Sequence, residues 1–570
     1  MKKKIGVYVC HCGGNISDYV DIEKVKEAVK EEADVFLVKN TVFACADSSQ
    51  KQMVSDIEND ELDAIVVASC SPKLHLNTFR SVAERAGLNP HNYVQANIRE
   101  QSSWANSDNK LGATEKAIHL VKAAIARARE SEALFSKKIP ATNSVAVIGA
   151  GIGGMRSALS LADMGSEVYL IEKEDTVGGH TANWGQVFPT DDPGKNLVEK
   201  LLTEIKKRAN IKLFTNAELV EKKGSIGNFD IKVKVNKEIL PLHIGAFIVN
   251  TGFDPYQPAD EEYGYGKFEN VITLPEFKIL VDASVKNELV YKGKKINKIA
   301  YIYCVGSRQD EEGDNKHCSR YCCTSAIHIA VLVKEKFKNI INLHFNRGIR
   351  TYGKQELIYE QSSKNGDIYL QFTLDSIPEI EERNKKTYVK VKDILTEGKT
   401  LETEVDLIVL VTGMVPRENK KLESLLKIPI GRDGFFNEIH MKLRPVETVI
   451  DGVFIAGTCQ SPKTILETLN SSMAAASKAN SVLNKGEISL EPVLAKLNPA
   501  ACTWCNKCNE ACEFGAIEQM EFEGRTVAFI NESNCKGCGM CTPVCPTDAI
   551  DLAGFTNAQI EAMIDALAES

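Results

Sequence analysis

The stretch Ser144-Val-Ala-Val-Ile-Gly-Ala-Gly-Ile-Gly-Gly154 joins a short apolar strand to a Gly-x-Gly-x-x-Gly turn. A helix is predicted to follow over 155–164, and a second strand over 167–171 ends at Glu172. In such a βαβ unit the glycines permit a tight turn, the approach of a pyrophosphate and the packing of helix on strand. The amino terminus of the helix favours phosphates, and Glu172 would accept hydrogen bonds from ribose hydroxyls. The stretch therefore predicts a dinucleotide-binding domain.

The residues that follow Glu172 favour FAD as the dinucleotide. Gly178-Gly179, soon after the acidic residue, is typical of FAD-binding flavoproteins of the disulfide-reductase type. Apolar runs at 246–252, 406–413 and 452–458 resemble strand–turn pieces of that fold, in the same order along the chain. Ordinary buried strands are the alternative for each run taken alone. The candidate FAD-binding residues are Gly149, Gly151, Gly153, Gly154, Glu172, Lys173, Gly178, Gly179, Gly252, Gly413 and Gly457.

Flavoproteins of this type usually carry a second glycine loop that binds NAD(P)H in an inserted domain. Here the matching strand, predicted over 298–303, runs into Cys304-Val305-Gly306 and lacks that loop. We therefore predict that this chain does not itself bind a nicotinamide cofactor.

Near the carboxyl end the cysteine spacing C-x2-C-x2-C-x3-C occurs over 502–512 and again over 535–545, where a proline follows. This is the spacing of bacterial ferredoxins with two [4Fe–4S] clusters, in which the fourth cysteine of each copy ligates the other cluster. Zinc is the alternative, and the doubled spacing disfavours it. We expect one cluster on Cys502, Cys505, Cys508 and Cys545, and the other on Cys535, Cys538, Cys541 and Cys512.

Composition narrows the class of protein. The chain has 570 residues, 17 cysteines and a formal net charge of −8. A disulfide-rich secreted protein would be small, whereas 16 of these cysteines fall into four groups of four, which favours metal ligation in a reducing cytoplasm. No apolar run reaches the ~18–20 residues that span a bilayer. The negative charge argues against a nucleic-acid partner.

A third group of cysteines lies between the two flavin halves. Cys304 is predicted at the end of a strand, and Cys318, Cys322 and Cys323 at the start of the next helix, where positions i and i+4 share a face. Four thiolates could then hold a further [4Fe–4S] cluster. Structural cysteines buried on a helix are the alternative.

The amino-terminal 135 residues alternate strand and helix, with strands predicted over 4–9, 34–42, 64–68 and 93–96. This alternation indicates a parallel sheet, whose strand ends meet at one edge. Cysteines follow three of the strands, so a fourth [4Fe–4S] cluster is predicted; inert core cysteines are the alternative. The candidate ligands are Cys10, Cys12, Cys45 and Cys70. The remaining cysteine, Cys459, is predicted to be structural, with a redox role as the alternative.

Several segments resemble the A-type subunits of heterodisulfide reductases, and the resemblance covers nearly the whole chain. They include Cys-Val-Gly-Ser-Arg at 304–308, His-Cys-Ser-Arg-Tyr-Cys-Cys-Thr at 317–324 and Arg-Gly-Ile-Arg-Thr-Tyr-Gly-Lys at 347–354. The resemblance implies an oxidoreductase that holds FAD, with a cluster on the Cys304 group. The implied partners are B- and C-type subunits, ferredoxin, and a hydrogenase, formate dehydrogenase or NADH-oxidising module as electron donor. A homodimer is a candidate assembly.

Two features depart from the family. The methanogen protein carries an additional ferredoxin module between its flavin halves, whereas the matching stretch here, 252–298, has no cysteine. Five residues after the cysteine pair, the resemblance leads us to expect a lysine near the flavin N5, where this sequence has His328. A histidine would stabilise a flavin anion only when protonated, and a histidine without flavin contact is the alternative.

The predicted fold class is α/β: a Rossmann-like amino-terminal domain, a disulfide-reductase-like FAD domain and a carboxyl-terminal α+β ferredoxin domain. The predicted bounds are 1–138 for the amino-terminal domain, 143–255 and 404–488 for the FAD-binding halves, 256–403 for the inserted region, and 495–570 for the ferredoxin domain.

FAD exchanges electrons in pairs or singly, and each cluster passes one at a time, so the chain is predicted to be an electron-transfer component of a larger complex. The favoured function is electron bifurcation at FAD between ferredoxin and a disulfide-reducing partner. A non-bifurcating relay role is one alternative, and a self-contained NAD(P)H-dependent flavin reductase is another.

Overall fold

The computed structural model describes residues 3–284, 288–311, 313, 315–337 and 339–568. They form two compact units, Met1–Lys138 with Ser489–Ser570, and Ile139–Ile488. Among the helices that the structure describes, none combines the length and the apolarity that crossing a bilayer requires. The finer division into the five segments proposed above stays a prediction.

The amino-terminal part of the chain forms a parallel sheet with strand order β2-β1-β3-β4. Its strands are β1 (Ile5–Cys10), β2 (Val35–Thr41), β3 (Ala64–Ser69) and β4 (Tyr93–Asn97). The helices are α1 (Ile22–Lys30), α2 (Asp47–Asp60), α3 (Pro72–Arg85) and α4 (Lys110–Arg129). The two central strands are buried along their whole length, because apolar side chains cover both of their faces.

The elements of the second unit follow in chain order. The first are β5 (Lys138–Pro140), β6 (Ser144–Ile148), α5 (Ile152–Asp163), β7 (Glu167–Ile171), α6 (Gly194–Lys206), β8 (Ile211–Phe214), β9 (Ala217–Ser225), β10 (Asn228–Val235), β11 (Glu238–Ile244), β12 (Ala246–Val249) and β13 (Phe253–Pro255). The inserted region contains β14 (Val271–Thr273), α7 (Leu274–Ala283), β15 (Val290–Tyr291), β16 (Lys294–Lys295), β17 (Lys298–Val305), α8 (Cys322–Lys336), β18 (Ile341–Asn346), α9 (Glu356–Lys364), β19 (Ile368–Gln371), β20 (Glu379–Arg383), β21 (Lys386–Asp393) and β22 (Lys399–Val405). The unit continues with β23 (Leu407–Thr412), β24 (Met414–Pro416), α10 (Lys420–Leu426), β25 (Val453–Ile455), α11 (Ile465–Leu483) and β26 (Glu487–Ser489).

Two five-stranded parallel sheets organise this unit, with strand orders β25-β12-β6-β7-β8 and β14-β23-β17-β18-β19. Two antiparallel sheets, β11-β10-β9 and β20-β21-β22, accompany them, and β13 pairs with β24. Ligands of open parallel sheets bind at the carboxyl ends of the strands. The two sheets thus confirm the disulfide-reductase-like α/β fold and offer two such edges.

The structure corrects one local prediction. Helix α8 begins at Cys322, so Cys318 lies in the preceding loop, and the prediction that the three cysteines share one helix face was wrong. Arg320 has a left-handed φ of 61°, which a continuous right-handed helix does not accommodate. The thiols must therefore be brought together by the loop rather than by helical spacing.

The carboxyl-terminal part of the first unit is small and mixed. It contains β27 (Ala495–Leu497), α12 (Lys507–Glu510), β28 (Ile517–Phe522), β29 (Arg525–Ile530), β30 (Ile550–Leu552) and α13 (Asn557–Ala568). β27 pairs antiparallel with β30, and β28 with β29. This arrangement confirms the predicted α+β class of the ferredoxin domain.

A buried ionic group supports the second parallel sheet. The Asp367 side chain is fully buried, and its carboxylate lies 2.7 Å from Lys334 Nζ and 3.6 Å from His344 Nε2. Asn342 Nδ2 donates to the same carboxylate at 3.0 Å, and the Ser362 hydroxyl also donates to it. Burial alone would raise the pKa of Asp367, but these donors outweigh it and hold that pKa at about 2.

Candidate functional site

A cavity of about 1480 Å³ opens in the Ile139–Ile488 unit, at the carboxyl edge of the sheet that contains β6. Its volume exceeds the ~300–1,000 Å³ of ordinary small-molecule pockets, which suits a dinucleotide. Of the predicted FAD-binding residues, nine line it: Gly149, Gly151, Gly153, Glu172, Lys173, Gly178, Gly179, Gly252 and Gly457. The other two, Gly154 and Gly413, lie behind the wall.

The glycine loop is shaped by close backbone contacts. A Cβ on Gly149, whose φ is +97°, would stand 2.4 Å from the Asn250 carbonyl oxygen, and one on Gly154 would stand 1.8 Å from the Gly149 carbonyl oxygen. Only glycine fits at either position. The amide of Gly178 donates to Ala150 O at 2.8 Å, which places the second glycine pair beside the loop.

Glu172 is almost fully buried beside the glycine loop. Its carboxylate accepts hydrogen bonds from the amide of Ala150 at 2.6 Å and from that of Glu174 at 3.0 Å. These contacts fix the acid at the cavity wall, at the carboxyl end of β7. Its contact with a ribose stays a prediction.

Two unsatisfied polar atoms indicate that the cavity is built for a ligand. Thr251 Oγ1 and His328 Nδ1 are buried and have no hydrogen-bond partner among the described residues, and both residues line the cavity. A buried polar atom without a partner costs about 1–3 kcal/mol, which a bound polar group can recover. Together with the glycine loop at the start of α5, these atoms fit FAD.

Helices α7 and α8 form another wall of the cavity. His328, on α8, is 2% exposed, and its Nε2 lies 2.6 Å from Asp191 Oδ1. The Phe188 ring meets the imidazole edge-on at 5.8 Å. Burial lowers the pKa of His328, which outweighs the opposing effect of Asp191. Lys278, on α7, lines the same cavity and is 6% exposed.

The Cys304 group meets at the end of β17 and the start of α8. Cys322 interacts electrostatically with Cys304, Cys318 and Cys323, so the four thiols lie close together. Cys304 itself has a left-handed φ of 62°, and Arg308 lies 3.8 Å from its sulfur. The amide of Arg320 donates to Cys318 at 3.4 Å. The loop therefore supplies cationic and N–H groups to these sulfurs.

The amino-terminal group lies at the carboxyl edge of the first sheet. Burial raises the pKa of the Cys10 thiol to about 11, and negative charge on Cys12 or Cys45 raises it further. Two backbone N–H groups donate to Cys10 Sγ, each at 3.3 Å. Cys70 interacts with Cys12, and Arg99 Nη1 lies 3.4 Å from Cys12 Sγ. All four predicted ligands thus belong to one electrostatic neighbourhood.

The eight ferredoxin-type cysteines divide into two sets. One small cavity is lined by Cys502, Cys505, Cys508 and Cys545. In the other set, Cys541 interacts electrostatically with Cys535, Cys538 and Cys512. The fourth cysteine of each sequence copy thus lies with the first three of the other copy. Those two cysteines have equivalent contacts: Ala516 N donates to Cys512 at 3.3 Å, and Ala549 N to Cys545 at 3.2 Å.

Within the described residues, no set of three or more His, Cys, Asp or Glu side chains is arranged around a single metal ion. A cluster of four irons and four sulfides is larger than one ion, so its thiolates stand farther apart than zinc ligands do. Each of the four cysteine groups also receives backbone N–H groups, which iron–sulfur clusters use to tune their potentials. The donor sets fit iron–sulfur clusters, and the individual assignments stay predictions.

Comparison with known proteins bears on both kinds of site. A model of a FAD binding domain matches residues 144–186, and a model of a 4Fe-4S dicluster domain matches residues 495–552. The second iron-sulfur A-type subunit of the CoB–CoM heterodisulfide reductase of Methanopyrus kandleri is 37% identical over 610 aligned residues, covering 92% of each chain. The chain belongs to the family of A-type heterodisulfide reductase subunits. The predicted family and the oxidoreductase class are thereby confirmed.

Other members of this family give the same result. The A-type subunit of the H2:CoB-CoM heterodisulfide,ferredoxin reductase of Methanothermobacter thermautotrophicus is 35% identical, with 90% of each chain covered. Its counterpart in the H2/formate:CoB-CoM heterodisulfide,ferredoxin reductase of Methanococcus maripaludis is 33% identical, with 99% of this chain and 98% of that one covered. The thioredoxin reductase structure of Lactococcus lactis is 20% identical over 60% of this chain, with a TM-score of 0.41. The heterodisulfide reductase family, with the FAD and 4Fe-4S domains matched above, makes this chain a FAD and iron–sulfur subunit.

Sequence reasoning missed one residue of the cavity, Lys278. It lies in the apolar run Phe277-Lys278-Ile279-Leu280-Val281, so that it is the one charge among four apolar side chains. A lone charged residue inside an apolar helical run is the signal that could have indicated a buried functional cation.

Proposed function

We propose that this chain splits electron pairs at FAD between ferredoxin and a heterodisulfide-reducing or related partner. One observation carries the proposal: helix α8 contributes to both the cysteine group and the cavity. Cys322 and Cys323 form its first turn, while Thr324, Ser325 and His328 line the cavity. A one-electron carrier and a two-electron carrier would thus be held within two turns of one helix.

In the proposed site, the chain's own residues bind and orient FAD. The amino terminus of α5 and the glycine loop would receive the pyrophosphate, and Glu172 the ribose. Thr251 and His328 would satisfy their unpartnered polar atoms on the cofactor. When bound, FAD supplies the exchange between paired and single electrons, and the protein supplies position and electrostatics.

We further propose four [4Fe–4S] clusters on the four cysteine groups, and electron exchange with B- and C-type subunits and ferredoxin. Relatives in the family are named for H2, formate and ferredoxin. A hydrogenase, a formate dehydrogenase or an NADH-oxidising module is therefore the proposed class of electron donor.

Cofactor analysis of the anaerobically purified chain tests the cofactor content. We expect about sixteen irons, an equal amount of acid-labile sulfide, and one FAD per chain. About twelve irons would leave one cysteine group without a cluster and contradict the full proposal.

The two one-electron potentials of the bound FAD then test bifurcation. Bifurcation requires that the second electron leave at a lower potential than the first, so that the two potentials are crossed. Potentials in the ordinary order would refute bifurcation and favour the relay function. Rapid bleaching of the flavin of the isolated chain by NADH would contradict the prediction that this chain binds no nicotinamide.

A further inference from the structure

The cavity proposed for FAD contains a buried ammonium group. Lys278 lines the cavity and is 6% exposed. Within the described residues, no carboxylate lies within the 4.0 Å of an ion pair, and Asp282, one helical turn later, is the one acid whose charge acts on it. Burying a charge without a close partner costs several kcal/mol, so such a group is retained where a ligand compensates it.

The ammonium keeps its charge near neutral pH. Burial lowers the pKa of Lys278 to about 8, and Asp282 opposes that effect. A pKa at that level leaves the protonated form in the majority at pH 7. The cavity therefore contains a positive charge before any ligand binds.

The neighbours of Lys278 place it on the wall nearest the Cys304 group. Phe277, the adjacent residue, belongs to the same buried apolar cluster as Cys322 and Cys323. The charge of Lys278 also lowers the pKa of His328, which lies on α8 and lines the cavity. Electrons must pass between the flavin ring and these thiols, so the ring would occupy this side, and the glycine loop would hold the pyrophosphate.

His328 does not supply a fixed charge in this place. Burial lowers its pKa, and its Nε2 is already engaged by Asp191 at 2.6 Å. Family resemblance predicts a lysine at this position of the sequence, and α7 brings a lysine to the same wall from a different element.

We propose that Lys278 is the fixed cation that faces the flavin ring and stabilises its reduced, anionic form. The proposal rests on the proposed FAD site and goes beyond it, since it assigns this role to a residue of α7. A positive charge beside the ring raises the reduction potential of the flavin, because reduction adds negative charge there.

The test compares the two-electron midpoint potential of FAD in the full-length holoprotein across a set of variants. Lys278→Met should lower the equilibrium constant for flavin reduction at least tenfold, a shift of about 30 mV to lower potential. Lys278→Arg should retain the wild-type potential. The matched control is Lys206→Met, since Lys206 also lines the cavity but lies on α6 and is exposed; it should leave the potential unchanged.

A double variant separates the charge from a structural role. In Lys278→Met/His328→Lys the cation returns to the same wall from α8, and the potential should return towards the wild-type value. If Lys278→Met alone yields no folded flavoprotein, a folded double variant with a restored potential supports the proposal, and a double variant that also fails to fold overturns it.

An unshifted potential in Lys278→Met, or a shift that the relocated lysine does not reverse, overturns the proposal. The proposed function is judged separately, on the wild-type chain. Loss of its FAD there would refute the flavin site, whereas uncrossed potentials would refute bifurcation and leave the role of Lys278 standing.

Discussion

Exchange of the fourth cysteines between the two ferredoxin-type clusters can be tested with iron counts. Cys512 follows the first copy of the motif in sequence, but it lies with Cys541, Cys535 and Cys538 of the second copy. Cys508 lines the other cavity together with Cys545. Replacing Cys512 should therefore damage the same cluster as replacing Cys541, and a different cluster from the one that Cys508 holds.

The expected magnitudes follow from this pairing. If loss of one thiolate releases its cluster, Cys512→Ser and Cys541→Ser should each reduce the iron content from about sixteen to about twelve per chain. The double variant Cys512→Ser/Cys541→Ser should also retain about twelve, because both changes fall on one cluster. Cys512→Ser/Cys508→Ser should retain about eight, because two clusters are lost.

Iron and acid-labile sulfide, measured after anaerobic purification with the FAD content as a check on folding, provide the readout. Cys459→Ser is the matched control, because this buried thiol contacts only the backbone oxygens of Val249 and Ala456 among the described residues. It should keep the full iron content. The reasoning is refuted if Cys512→Ser/Cys508→Ser retains as much iron as either single variant, since the two cysteines would then share one cluster.

Two further perturbations address the flavin site and the stability of its unit. Gly154→Ala should abolish FAD binding, since the new Cβ would stand 1.8 Å from Gly149 O, whereas Gly151→Ala meets no atom within 4 Å and should fold but bind FAD at least tenfold more weakly; equal FAD titrations for the two variants would contradict this. Asp367→Asn should lower the free energy of unfolding by about 3 kcal/mol, because it leaves the Lys334 ammonium without its carboxylate, and denaturant titration followed by flavin fluorescence measures it. The Asp367 pKa of about 2 lies below its unfolded value of ~3.9, so its contribution of ~2.6 kcal/mol is fully present above pH ~5 and is lost as the pH falls towards 2; an Asp367→Asn variant with the same acid sensitivity as the wild type would exclude this source.

The fold was accessible from the sequence wherever one local pattern determined one local structure. The strand predicted over 167–171 is β7, Glu167–Ile171, and the apolar run at 144–148 is β6, because short apolar runs between turns allow few alternatives. The start of α8 was not accessible, since the left-handed Arg320 that delays the helix to Cys322 depends on tertiary contacts of the loop.

The cavity shows the same limit for functional residues. The glycines and Glu172 belong to a contiguous motif and could be named from the sequence alone. Lys278 could not, because its importance arises only when α7 packs beside α8 and brings its ammonium to the wall that His328 also lines. Residues far apart in sequence are joined there by packing, which a single sequence does not encode in any local spacing.

The carboxyl end of β17 explains why electrons should reach this flavin without a nicotinamide bound to the same chain. In disulfide-reductase-like flavoproteins this strand end carries the second glycine loop. Here it presents Cys304, and a Cβ on Gly306 would stand 1.9 Å from the Tyr256 ring, which closes the turn. Arg347 donates to the backbone oxygens of Ser307 and Arg308 at 2.8 and 2.7 Å, which fixes the loop in that shape. A strand end that is committed to holding a thiolate cannot also form the open anion cradle of a dinucleotide, so the electron donor is expected to act through clusters and partner proteins.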